Sequence, residues 1–442
     1  MDIKGNFALL NVFLVDGKGG APKSDMAVVV KDGVITKVQK MKDYKKEKDV
    51  QEVLLDGHYV MPGLIDAHVH LSGGRAGIED GEIGVAAEPP LLRGMRSVYE
   101  AQEILKRGFT SVRDISWNGL YLKRLFRGNA IPGPKIVAAG LGLSRTGGHG
   151  DLYQYPKEFV ETNGFWAIIA DGKDEIIKGV RTLLREGADQ IKIWACGGDN
   201  WANDRLSDVH YSMEEMKACV EEAHRQKGTK VLCHAETAES IDMAIEAGVD
   251  TIEHGEDLTE EICEKMIKRG VILVPTLQLI VNWNRDFVIP PELKEKQYRP
   301  EVFLWRDLYT HNIDVDAIAA KTRQQAINSF KLAISKGVKI ALGSDTVFEP
   351  LTKYGEYSAL EFKAMVEHGM TVSQAIVAAT QTAAEALGME DVLGTVEPGK
   401  LADLLVVRKD PTSSVDVLYD PSNIFLTFCD GKLTVENGRF AY

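Results

Sequence analysis

In Gly63-Leu64-Ile65-Asp66-Ala67-His68-Val69-His70, an apolar run that should enter a core ends on two histidines one residue apart. In a strand, side chains at i and i+2 leave the same face, so both imidazoles project together. Two imidazoles on one face can grip a metal ion, although hydrogen-bonded core histidines give the same pattern. The pair has company. Lys192 interrupts DQIKIWACGG, His234 stands in LCHAE, His254 in TIEHG and Asp345 in ALGSDT. Each polar group breaks an apolar segment near its carboxyl end. An unpaired buried lysine is costly unless it is neutralised or coordinated. Six such groups on one rim point to a metal site.

The segments that carry them recur along the middle of the chain. LIDAHVH, FTSVRDI, KIVAAG, DQIKIWA, KVLCHA, VDTIEH, VILVPT and VKIALGSD are short and largely apolar. Between many of them lie amphipathic stretches such as SMEEMKACVEEAHRQKG and AAEALG, often ending in glycine. Strands buried on both faces and joined by helices make a parallel α/β fold. Eight of them across residues 61–394 fit a (β/α)8 TIM barrel, which keeps its chemistry at the carboxyl ends of its strands.

Both chain ends read as small β structure. AVVV and VITKV flank Lys31-Asp32-Gly33, and FLTFCDGKLTVENGRF carries Asp430-Gly431 and Asn437-Gly438. Asp-Gly and Asn-Gly between apolar runs signal hairpins. LADLLVV, Leu401 to Val407, is a further strand candidate. Neither end is large enough to close a core. Residues 1–60 and 395–442 are therefore expected to form one composite β-sandwich, with the barrel of residues 61–394 inserted between them.

The net charge of −13 repels nucleic acid and anionic membranes alike. Five cysteines with no CxxC spacing argue against a disulfide framework and suit a reducing compartment. The opening MDIKGNFALLNVFLVDG has no basic n-region, and Asn11 breaks its apolar run, so it reads as a strand. No stretch approaches the roughly 20 apolar residues of a membrane helix. The expectation is a cytoplasmic protein with a small-molecule substrate, no nucleic-acid or membrane partner, and room for a homo-oligomer.

The order HxH, Lys, His, His, Asp on segments one, four, five, six and eight resembles the amidohydrolase superfamily. PGLIDAHVH and VEPGKLADLLVV resemble its entry and exit motifs. TSVRD, TGGHG, IKIWACGG and TIEHG are similar to its prolidase-like and arginine-carboxypeptidase-like branch, related to imidazolonepropionase, whose members cleave dipeptides or N-acyl amino acids. The resemblance implies two divalent ions, usually zinc, bridged by a carboxylated lysine and a hydroxide.

A lysine amine kept neutral by burial and nearby cations can add carbon dioxide. The resulting carbamate has two oxygens able to bridge ions about 3.5–4 Å apart. Lys192 is the candidate. His68, His70 and Asp345 would hold one ion, His234 and His254 the other. Asp345 would accept the proton of the attacking water and pass it to the departing amine, because an amide anion is too basic to expel. The alternatives are an uncarboxylated Lys192 beside a single ion, and an Asp345 that ligates without moving protons.

Substrate contacts are expected from four residues. His149, in the glycine-rich SRTGGHGD, could polarise the scissile carbonyl or cap its loop. Glu236 stands where prolidase-like relatives often carry an aromatic residue. It either faces the pocket, where it would repel an anionic substrate end, or caps the following helix. Arg205 could fork onto a carboxylate, or pair with Asp204 or Asp208 in solvent. Tyr211 closes the same segment, GGDNWANDRLSDVHY, with Trp201 inside it. Long rim insertions at 72–96, 197–211 and after the seventh strand should set specificity.

The leading expectation is a binuclear metallohydrolase cutting an amide or peptide bond of a dipeptide or N-acyl amino acid. The same metals could instead serve a ring amide, urea, carbamate or aminated heterocycle. A non-catalytic metal-dependent assembly is the reading from another class.

Overall fold

The computed structural model describes residues 3–74, 88–127, 131–152, 155–163, 166–198, 204–226, 228–281, 315–347 and 353–441. Five strands open the chain: β1 (Phe7–Leu14), β2 (Lys23–Lys31), β3 (Val34–Lys40), β4 (Gln51–Leu54) and β5 (Tyr59–Pro62). The middle supplies β6 (Leu64–Val69), β7 (Phe109–Asp114), β8 (Lys135–Ala138), β9 (Gly142–Ser144) and β10 (Ala167–Ile169). It continues with β11 (Ile191–Trp194), β12 (Val231–Ala235), β13 (Thr251–His254) and β14 (Ile272–Val274). The end adds β15 (Leu404–Val407), β16 (Ile424–Cys429), β17 (Lys432–Glu436) and β18 (Arg439–Phe440).

This is an α/β protein built on parallel sheets. β6, β7 and β8 pair in that order, and a second sheet runs β10-β9-β11-β12-β13-β14. β6, β7, β11, β12 and β13 are buried at every residue, as expected of strands covered on both faces. Helices over Gly172–Glu186, Met213–Arg225, Ala238–Ala247 and Glu260–Arg269 cover them. Their ends follow local chemistry. Ser212 and Thr237 form capping boxes with Glu215 and Ser240, and Gly187, Gly248 and Gly270 close helices in the left-handed conformation.

Seven of the eight expected segments carry a strand, and the eighth does not. VKIALGSD and the Thr346 that follows it make single bridges instead, Ile340 to Leu273 on one side and Thr346 to Val69 on the other. Its backbone is bonded irregularly: Ala67 N donates to Leu342 O, Asp345 N to His68 O and His70 N to Thr346 O. Asp345 itself has φ of 50°, which no regular strand accommodates. The segment thus spans from β14 to β6. On the opposite side, Asp189 N donates to Ala138 O at the foot of β11, joining the two sheets again. β9 and β10 are additions that the apolar pattern did not announce.

Strands from both chain ends share one nine-stranded sheet, ordered β18-β17-β16-β15-β5-β1-β2-β3, with β4 also on β1. The ends meet where β15 pairs antiparallel with β5, Leu404 opposite Pro62 and Val407 opposite Tyr59. Phe7 and Phe428 stack across them with ring centroids 4.8 Å apart. Asp32, Asp430 and Asn437 hold φ of 50°, 48° and 53°, each followed by a glycine at positive φ. Two left-handed residues in succession are what a type I′ hairpin demands. Among the described residues, no helix is long and apolar enough to cross a membrane.

Candidate active site

Parallel register lifts the polar residues to one level. Trp194 of β11 stands opposite His234 of β12, and Ala235 opposite His254 of β13. His68 and His70 leave the end of β6, and the Asp345 amide bonded to His68 O brings the bridging segment against them.

Two donor groups result. His68, His70 and Asp345 offer donor atoms within 4.8 Å of one another, as do His234, Glu236 and His254. In the first, Asp345 Oδ1 lies 3.0 Å from His70 Nε2 and 3.4 Å from His68 Nε2. In the second, Glu236 Oε1 lies 3.2 Å from His234 Nε2. Atoms each about 2.0–2.2 Å from one ion are separated by distances of this order. The groups adjoin, with the His68 and His254 rings 5.7 Å apart.

The far side of each ring is also engaged. His68 Nδ1 lies 2.6 Å from Glu253 Oε2, His70 Nδ1 2.8 Å from Ile115 O, and His254 Nδ1 2.7 Å from Thr276 Oγ1. An oxygen acceptor at Nδ1 holds the proton there and leaves the Nε2 lone pair for an ion. His234 differs, its Nε2 facing Gly197 O at 3.4 Å as well as Glu236. Burial pushes the His68 imidazole down to about 4 and His254 to about 3, and holds His234 well below the usual value. Neutral imidazoles are what metal ligation requires.

Lys192 is 1% exposed, and its Nζ stands 5.5 Å from the centroid of the Trp194 ring. Burial lowers its ammonium below the ordinary lysine value, which favours the free amine. Gly142 makes the space, since a methyl group there would overlap the Trp194 ring and come 2.9 Å from Lys192 Cγ. Burial alone would raise the Asp345 carboxyl, but the imidazoles of His68, His70 and His254 hold it well below the usual range. It is therefore an ionised acceptor at neutral pH.

The sequence pattern of the amidohydrolase family matches residues 59–434, most of the chain. The chain belongs to the amidohydrolase family. Ochratoxinase of Aspergillus niger is 31% identical over 436 residues, covering 94% of this chain and 84% of that protein. The crystal structure of a prolidase complexed with N-methylphosphonate-L-proline has 30% identity and a TM-score of 0.81, covering 98% of this chain and 100% of that one. A Xaa-Pro dipeptidase with bound methionine in its active site has 30% identity and a TM-score of 0.79, at the same coverages. This amidohydrolase is thus a hydrolase of the prolidase-like branch.

The expected substrate residues of the amidohydrolase separate into three outcomes. His149 and Glu236 stand at the donor groups. The His149 ring stacks on His234 at 4.6 Å, and its Nδ1 is 2.7 Å from Oδ2 of the buried Asp204. Glu236 faces His234 and does not cap the next helix, whose cap is Thr237. Arg205 is exposed and forms no ion pair among the described residues, so its expected pairing with Asp204 or Asp208 is absent there; Asp204 is turned to His149. Tyr211 requires a correction. It is 2% exposed within the core, and its hydroxyl donates to Ala170 O, so it packs and braces where a substrate contact was expected. Glu79, Asp80 and Glu82, Trp201 and nearly all of the insertion after the seventh strand lie outside the described residues.

Several residues of this amidohydrolase site escaped the sequence reading. Asp204, His210, Thr276, Trp166, Glu253 and Arg113 all line or back the donor groups. Trp166 meets the His70 ring edge-on at 5.0 Å, and His210 Nδ1 accepts from His149 N at 3.4 Å. Arg113 and Glu253 carried a usable signal, since each puts a charge next to the last residue of a short strand.

Proposed function

We propose that this amidohydrolase is a binuclear metal-dependent hydrolase that cleaves an amide or peptide bond of a small molecule such as a dipeptide or an N-acyl amino acid. The observation that carries the reading is the pair of adjoining donor groups, His68-His70-Asp345 and His234-Glu236-His254, each with its donor atoms within 4.8 Å. Imidazole nitrogens and carboxylate oxygens suit zinc. Lys192, whose ammonium burial disfavours, would be the residue to take up carbon dioxide and help hold the ions. Two ions, when bound, supply Lewis acidity and a water that ionises near neutral pH.

The chain's own residues do the rest. Asp345 takes the proton from the attacking water and delivers it to the leaving nitrogen. His149, braced at Nδ1 by Asp204, directs its other edge to the scissile carbonyl. Glu236 places a carboxylate within the second group, which favours substrates presenting a neutral or cationic end and keeps a ring amide, urea or carbamate as the second reading. We further read the two parallel sheets and the 338–346 segment as one (β/α)8 barrel over residues 61–394. Residues 1–60 and 395–442 form the β-sandwich beside it. Five free, buried cysteines suit a cytoplasmic protein.

The test is a panel of dipeptides, N-acyl amino acids and cyclic ureides offered to the zinc-loaded protein. Hydrolysis of the first two classes, lost on chelation and in Asp345→Asn, is the expected result. Turnover of cyclic ureides alone would move the assignment to the second reading. Activity that survives both chelation and Asp345→Asn would remove this site from the reaction.

A further inference from the structure

Behind His68 lies a charged pair with no solvent access. Arg113 of β7 and Glu253 of β13 are both 0% exposed. Arg113 Nη2 donates to both carboxylate oxygens, at 2.7 and 2.8 Å. Its Nε donates to Ala67 O at 2.5 Å, and its Nη1 to Thr251 Oγ1 at 3.2 Å and Gln190 Oε1 at 3.4 Å. The Thr251 hydroxyl also donates to Glu253. Glu253 Oε2 completes the chain at His68 Nδ1, 2.6 Å away.

Burying two charges is expensive, and an apolar pair of similar volume commonly stabilises a core as well or better. Fold stability therefore gives no reason for ions here. Position does. β6 and β7 lie in the three-stranded sheet and β13 in the six-stranded one, so the pair ties the two sheets through the interior. It grips β6 at Ala67 O, one residue before His68, and grips the His68 ring itself. Glu253 is also the residue before His254, which belongs to the other donor group.

We propose that Arg113 and Glu253 are positioning residues that hold the two donor groups in register. Glu253, held at both oxygens by Arg113 Nη2, keeps the His68 proton on Nδ1 and aims Nε2 at Asp345. This role rests on the binuclear reading above.

Metal binding tests it without reference to turnover. Zinc and cobalt(II) titrations, with the visible spectrum of the cobalt form, are measured on wild type, Glu253→Gln, Arg113→Lys and the double variant Arg113→Met/Glu253→Leu. The double variant leaves no unpaired charge behind, and Glu253→Gln preserves shape if the double variant does not fold. Each folded variant is expected to bind its weaker ion 10–100-fold less tightly than wild type, with a changed cobalt spectrum. Arg113→Lys, which keeps the charge but cannot bond Glu253, Ala67 O and Thr251 at once, should fall between wild type and Glu253→Gln. Wild-type affinities and spectrum in a folded double variant or in Glu253→Gln would overturn the proposal. Failure of wild type itself to take up two equivalents would instead strike the binuclear reading.

Discussion

Thr276 and His254 both hold a left-handed backbone, at φ of 44° and 71°, and Thr276 Oγ1 lies 2.7 Å from His254 Nδ1. A β-branched residue at positive φ is strained, at a cost of about 1–3 kcal/mol. That strain is spent on aiming one imidazole. Thr276→Val should leave the strain and remove the acceptor, lowering metal affinity about 10–100-fold with little change in melting temperature. Thr276→Gly should relieve the strain and also lose the acceptor, so it should melt no lower than Thr276→Val while binding metal equally poorly. Calorimetric titration and thermal unfolding of the metal-free protein check both.

The Lys192 and Trp194 side chains occupy the space that a side chain at position 142 would need. Gly142→Ala should cost about 1–3 kcal/mol by overpacking. Because the displaced atoms include the Lys192 stem, metal content should fall with it. Denaturant unfolding and elemental analysis measure the two effects. Loss of stability with full metal content would mean that Lys192 tolerates displacement.

Asp204 braces His149 from outside the donor groups. Asp204→Ala should lower kcat/KM by about 10²-fold, within the range for loss of one preorganised donor to a developing oxyanion, and leave metal content unchanged. Asp204→Glu should recover part of the loss. A variant with unaltered kinetics would return His149 to a loop-capping role.

Glu100 carries a pH dependence of stability. Burial pushes its carboxyl up to about 8 from the ordinary 4.5, against the backbone N–H of Gly73 that favours the ionised form. Between those values the folded chain keeps a proton that the unfolded chain releases. Its contribution is therefore fully present below about pH 4.5 and lost as pH rises through about 8, at up to about 1.4 kcal/mol per pH unit. Glu100→Gln imitates the protonated form. Its stability relative to wild type should climb from pH 5 to 8 in denaturant titrations, and a constant difference would show that Glu100 is ionised throughout.

Local chemistry was readable along the chain. The Asp-Gly and Asn-Gly turns, the apolar strands and the polar residues at their ends follow from backbone sterics and burial, which act over a few residues. The i, i+2 spacing of His68 and His70 put both rings on one face before any fold was known. What lay beyond reach was partnership across distance. Arg113 and Glu253 are 140 residues apart and meet only because β7 and β13 face one interior. The orientation of Glu236, the burial of Tyr211 and the left-handed turn at Asp345 were likewise decided by neighbours from other strands. Side-chain type and spacing along a strand are set by the chain itself, whereas the acceptor that fixes a tautomer and the surroundings that strip a charge of water exist only once separate strands are packed together.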